Sequence, residues 1–186
     1  LVLTVRTGFR ASFENGDVPV EMIVYTQTSP DVTQLLKEIQ DGARDSGLLT
    51  DLPITIDDTS GFSWPWAWYL RDYDLVYYQA SVDGSLSLEP ETQVMVVHSN
   101  NLEDTDQLSN KGYSKGRRVK HRWWFPESKY RGLTLAGFVK GFADRDTWRG
   151  AMDYFLNREG VEASVGSEDA YVYFASDFPL ESTGRE

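Results

Sequence analysis

Pro53-Ile54-Thr55-Ile56-Asp57-Asp58-Thr59-Ser60-Gly61-Phe62-Ser63-Trp64-Pro65-Trp66-Ala67-Trp68-Tyr69-Leu70-Arg71-Asp72-Tyr73-Asp74-Leu75-Val76-Tyr77-Tyr78-Gln79 reads as strand, turn, helix and strand. Pro53 to Asp57 is a short strand ending in two aspartates. Ser63 caps a helix with Pro65 near its start and an aromatic face along it. Leu75 to Gln79 is the next strand. A strand, a helix and a strand in this order make a βαβ unit, and such units build parallel sheets.

The flanks extend the pattern. Glu21 to Gln27 reads as a buried strand. Ser29 and Pro30 open a helix whose apolar stripe is Val32, Leu35, Leu36 and Ile39, and Gly42 to Gly47 closes it. Thr92 to His98 is the most apolar strand. Asn100 to Leu108 is a short polar helix or turn. Tyr113 to Phe125 is a basic strand, 130–143 and 146–158 are helical, and Ala170 to Ala175 is a closing strand. The expected fold is α/β: a three-layer αβα sandwich with a mainly parallel, Rossmann-like sheet, the last strand free to run antiparallel. Residues 1–20 read as a lead-in, 21–180 as one domain and 181–186 as a tail.

The chain has 186 residues, a net charge of −11 and no cysteine. The acidic balance argues against nucleic acid, whose phosphates need a basic face. Disulfides, thiolate metal sites and cysteine nucleophiles are excluded. The two histidines, His98 and His121, are too isolated to suggest a zinc site. No apolar stretch reaches the length that spans a bilayer, and no signal-peptide pattern is present. The chain begins Leu1-Val2-Leu3 without methionine, as a piece cut from something longer or as a processed soluble protein would. There is no GxGxxG loop after the first strand and no GxSxG elbow.

Sites in parallel sheets gather at the carboxyl ends of strands. Three segments fall there: Thr28 to Asp31, Asp57 to Ser60, and His98 to Asn100. Neighbouring carboxylates on a strand point to opposite faces, so Asp57 and Asp58 bind one ligand only across a turn. Either could hold a hydroxyl or a cation; either could equally be a turn or capping carboxylate. Trp64 and Trp68 are four apart and suit stacking on a sugar ring or acyl chain. Arg71, beside Asp72, suits a phosphate or carboxylate. The alternative sends Trp66 and Tyr69 into the core and pairs Arg71 with Asp72 or Asp74. Trp123 and Trp124 follow Lys115, Arg117, Arg118, Lys120, His121 and Arg122. They read either as membrane- or partner-facing or as part of an amphipathic strand with a solvated basic face.

Asn15-Gly16-Asp17 through Pro19-Val20-Glu21, Val24 to Val32, Trp64 to Tyr73, and Arg122-Trp123-Trp124-Phe125-Pro126 together resemble a known family. It is the C-terminal soluble part of the flippase-activity-associated archaeal and bacterial glycosylation proteins. These are GT-C membrane glycosyltransferases similar to dolichyl-phosphate-mannose protein mannosyltransferases. The resemblance covers about Asn15 to Asn157, and the Trp64–Tyr73 run is its specific part. It implies an N-terminal transmembrane portion as partner and an extracytoplasmic position at the cell membrane. It also implies a lipid-linked sugar or acceptor as ligand, with the membrane surface nearby. The catalytic carboxylate of such enzymes lies in the membrane portion, so no catalytic residue is carried over. No cofactor is expected in this domain; a divalent cation is expected, if anywhere, in the full-length enzyme. The tryptophan run is also similar to the Trp-Trp-Asp-Tyr-Gly motif of oligosaccharyltransferase soluble domains, but this chain has Trp-Tyr-Leu-Arg-Asp-Tyr instead. A structural interaction domain and a free-standing carbohydrate-active enzyme are the competing expectations.

Overall fold

All four residues from Ile54 to Asp57 are buried, as are all five from Val94 to His98. Val94 to Val97 is apolar throughout, as a strand covered on both faces tends to be, whereas the buried polar side chains of Ile54–Asp57, Thr55 and Asp57, are hydrogen-bonded to Thr92 and Thr59. The computed structural model describes residues 2–16, 18–20, 26–80, 89, 91–101, 108, 111–125, 134–158 and 165–180. The helices are α1 (Val2–Phe9), α2 (Pro30–Asp45), α3 (Trp66–Tyr69), α4 (Leu135–Ala143) and α5 (Arg145–Asn157). The strands are β1 (Gln27–Thr28), β2 (Ile54–Asp57), β3 (Val76–Gln79), β4 (Val94–His98), β5 (Arg117–Trp124) and β6 (Gly166–Phe174). The chain divides into two compact units, Leu1–Ser29 with Arg122–Ser167, and Pro30–His121 with Glu168–Glu186. Residues 21–180, read above as one domain, thus contribute to both. Residues 21–25 of the expected strand Glu21 to Gln27, 102–107 of the expected turn or helix Asn100 to Leu108, and the tail at 181–186 lie outside the described residues.

The fold is mixed α/β, with a six-stranded sheet in the order β1-β5-β6-β4-β2-β3. β2 runs parallel to β3 and to β4, pairing Ile54 with both Val76 and Val94. β6 runs antiparallel to β4, with Val96 opposite Val172, and β1 runs antiparallel to the end of β5. The expected mainly parallel sheet is therefore corrected to a mixed one, while the last strand is antiparallel. The segment from Asp57 to Val76 is long enough to cross over and keep β2 and β3 parallel. β6 instead returns along the free edge of β4 in the opposite sense.

In the second unit α2 lays Val32, Leu35, Ile39 and Ala43 into a core with Ile54, Ile56, Trp66, Val94, Val96 and Val172. The helix ends at Asp45, inside the Gly42 to Gly47 span read from the sequence, and it runs through Gly42. A Cβ at Gly42 would lie 2.3 Å from the Phe178 ring, so this glycine permits close packing. Gly47, at φ +76°, makes the turn beyond the helix.

The first unit is built differently. α1 continues through a π-helical turn, Arg10–Glu14. Arg6 donates to the Leu156 carbonyl at 2.7 Å and to Asn157 Oδ1 at 2.9 Å, placing a cation at the negative end of α5. The Tyr154 hydroxyl donates to the Val20 carbonyl at 2.9 Å, and buried Phe125 meets the Tyr154 ring edge-on. Thr134 caps α4 by accepting from Gly137 N, and Asp144 caps α5 by accepting from Thr147. Neither α1 nor α5 has a buried residue.

Candidate functional site

Asp57 ends β2 and is 1% exposed. Its Oδ1 accepts from Thr59 N (2.9 Å) and Thr59 Oγ1 (2.6 Å). Its Oδ2 accepts from His98 N (3.0 Å) and Asn101 Nδ2 (2.7 Å). Four donors fill the capacity of a carboxylate. Asp57 is a staple joining the ends of β2 and β4, with no lone pair left for a sugar hydroxyl or a metal. Asp58 turns the other way, as the period of two requires. Its carboxylate accepts from the Ser63 hydroxyl, and its amide donates to Gln79 O at 2.9 Å. Burial, and then the charge of Asp58, raise the Tyr78 phenol above its ordinary value. Ser63 thus serves Asp58 instead of capping the helix expected after it. The chain turns through Ser60 (φ +57°) and Gly61 (φ +75°) before α3 begins at Trp66.

The strand-end histidine is equally engaged. His98 Nδ1 accepts from Asn100 N at 2.9 Å, which makes the ring neutral with its proton on Nε2. Nε2 therefore donates to Glu168 Oε1, 2.5 Å away. Phe62 closes the ring edge-on at 4.7 Å. The expected convergence of Asp57 and His98 is present. The third expected segment ends elsewhere, since the Asp31 carboxylate accepts from Lys120 N on β5.

The tryptophan run divides by side chain. Trp66 is 0% exposed, its ring parallel to buried His121 at 5.7 Å, and its Nε1 has no acceptor among the described residues. Phe62 and Leu70 are buried beside it in the same core. Trp64 and Trp68 are each 59% exposed. The Arg71 guanidinium sits 4.5 Å over the Trp68 ring and also donates to the Trp68 carbonyl at 2.8 Å. Its contact with Asp72 is loose, at 3.8 Å. Trp66 enters the core, as the packing reading has it, and Trp64, Trp68 and Arg71 face outward. Two exposed indoles on a buried anchor, with a cation and Asp72 at the rim, can stack on a ring and bind a polar substituent.

The basic strand is less available than its sequence suggests. Arg117 pairs with Glu38 at 2.6 Å and Arg118 with Asp169 at 2.5 Å. Val119 and His121 point inward, alternating with exposed Arg118 and Lys120, as in an amphipathic strand. Trp123 and Trp124 are only partly exposed; Trp123 lies opposite Gln27. A Cβ at Gly166 would fall 2.2 Å from Trp124 Nε1, so that indole covers the β6 backbone.

Asn101, Glu168 and Phe62 complete the strand-end network and were not singled out in the sequence. Glu168 is 70 positions from His98, and no local signal links them. Asn101 had one: an amide three residues beyond a strand-end histidine. Among the described residues no group of three or more His, Asp or Glu is arranged to hold a metal ion. No helix among them is long and apolar enough to cross a membrane. No family model, curated protein or solved structure matches the chain.

Proposed function

We propose that this chain is the extracytoplasmic domain of a polytopic membrane glycosyltransferase. In this reading it positions an acceptor or a lipid-linked sugar and does not catalyse alone. The frame would be a three-layer, Rossmann-like αβα arrangement around the parallel strands. The carrying observation is the outward pair Trp64 and Trp68, with Arg71 over Trp68, seated on fully buried Trp66. An exposed indole pair is costly in water unless a ring partner covers it. The resemblance of the Trp64–Tyr73 run supports the same conclusion. The engaged Asp57 and His98 argue against a free-standing carbohydrate-active enzyme, because neither has an open position for substrate. Full-length enzyme carrying Trp68→Ala should transfer sugar about two- to tenfold more slowly, as expected on losing a ring contact worth about 0.5–1.5 kcal/mol. Unchanged transfer by folded Trp64→Ala and Trp68→Ala variants would remove the platform.

A structural interaction domain is the second reading. It is favoured by the strand-end network, in which Thr59, His98 and Asn101 saturate Asp57 and tie the ends of β2 and β4 together.

A further inference from the structure

α4 and α5 follow one another with only Asp144 between them, and both carry bare apolar faces. Leu135, Val139 and Phe142 on α4 are 82%, 63% and 55% exposed; Trp148, Met152 and Phe155 on α5 are 46%, 46% and 60% exposed. These positions recur at spacings of three and four, so each helix has one apolar stripe. The stripes meet at Phe142 and Trp148, whose rings pack edge to face at 5.1 Å. The Trp148 N–H is already satisfied by the Phe142 carbonyl at 2.9 Å, so the indole can leave water without an orphaned donor. α1 and the π-helical turn after it repeat the pattern with exposed Val2, Val5, Phe9 and Phe13.

The charges around this ridge indicate what covers it. Arg145 and Arg149 stand three residues before Trp148 and Met152, at the border of the α5 stripe. Asp146 and Asp153 lie beyond the arginines, away from the apolar side. Residues 134–158 hold Lys140, Arg145, Arg149 and Arg158 against Asp144, Asp146 and Asp153, a small positive balance inside a chain of net charge −11. Apolar and aromatic side chains bordered by arginine are the composition of a helix lying in a bilayer interface, its guanidiniums reaching lipid phosphates. Helices of 9 and 13 residues are too short to span a bilayer but can lie along its surface. Charges beyond about 8 Å are screened at physiological ionic strength, so the bordering arginines count for more than the acidic total.

We infer that the α4–α5 hairpin seats its apolar ridge in the interface of a bilayer containing anionic phospholipid. This locates membrane contact on the hairpin instead of on Trp123 and Trp124. It extends the proposed function to a second surface, and the two fail separately, since the tryptophan platform takes no part in lipid binding. The chain lacks cysteine, so Val139→Cys and, on the exposed face of α2, Gln40→Cys each accept a single environment-sensitive fluorophore. With vesicles of phosphatidylcholine and phosphatidylglycerol, the label at 139 should shift to the blue and the label at 40 should not. Phe142→Asp with Phe155→Asp should weaken partitioning by about tenfold or more, because two apolar side chains are withdrawn from the interface. Arg145→Glu with Arg149→Glu should weaken it on anionic vesicles far more than on pure phosphatidylcholine. Trp64→Ala with Trp68→Ala should leave it unchanged. No shift at 139, equal shifts at 139 and 40, or a shift reproduced without lipid by a dimer in sedimentation would overturn the inference.

Discussion

The helices of the two units treat their apolar stripes in opposite ways. In the unit of 30–121 and 168–186, Trp66, Phe62, Leu35 and Ile39 are each 1% exposed or less. In the unit of 1–29 and 122–167, Phe155, Phe142 and Leu135 are more than half exposed. The sequence periodicity is equally helical in both. In the first-named unit, β2, β4 and β6 give α2 and the Trp66 segment an apolar surface to cover; in the other, the described residues bury no side chain of α5. An apolar stripe states that a helix wants a partner; it does not state whether the partner is in the same chain.

Substitutions in the first-named unit should have the largest effects. Trp66→Ala should lower stability by about 3–5 kcal/mol, the cost of emptying a filled core site, read as a fall in the denaturant midpoint. Asp57→Ala comes next, at about 2–4 kcal/mol, because Thr59 N, His98 N and Asn101 all lose their acceptor. Chemical denaturation of this variant would reveal a network that sequence alone did not specify. Phe155→Ser, in the other unit, should change stability by about 0.5 kcal/mol or less in the absence of lipid. A much larger loss would mean that the α5 stripe is core after all. The smallest effect concerns Asp144. Hydrogen bonds from the Thr147 hydroxyl and amide hold its carboxyl below the ordinary 3.8. A depressed acid stabilises the folded form above its unfolded value and loses that contribution as pH falls through the lowered one. Protection of the Thr147 amide should therefore be full near neutrality and fade below about pH 4, and Asp144→Asn should remove the pH dependence while keeping the cap.

The central strands and α2 were legible because full burial and helical spacing leave their marks within a few residues, as in Val94 to His98 and Val32 to Ile39. The end of α2 was legible only as the span Gly42 to Gly47, since a glycine that admits a Phe178 ring and one that turns the chain look alike in sequence. The pairing of His98 with Glu168 was hidden for a different reason: it depends on β6 returning antiparallel to β4, which no local pattern encodes. The tryptophan run was half legible. Its spacing divided the rings between two faces, but only the fold decided that Trp66 goes inward while Trp64 and Trp68 go outward.

Arg71 gives that run a handedness. An indole offers two flat sides, and the guanidinium above Trp68 already occupies one of them. If the proposed platform takes a planar guest, that guest would stack on the other side, with its charged edge toward the arginine rim, and a mirror-image ring would meet the same surface with its substituents reversed. Shortening Arg71 to alanine would then open the upper side as well, trading selectivity between stereoisomers for looser, more promiscuous capture.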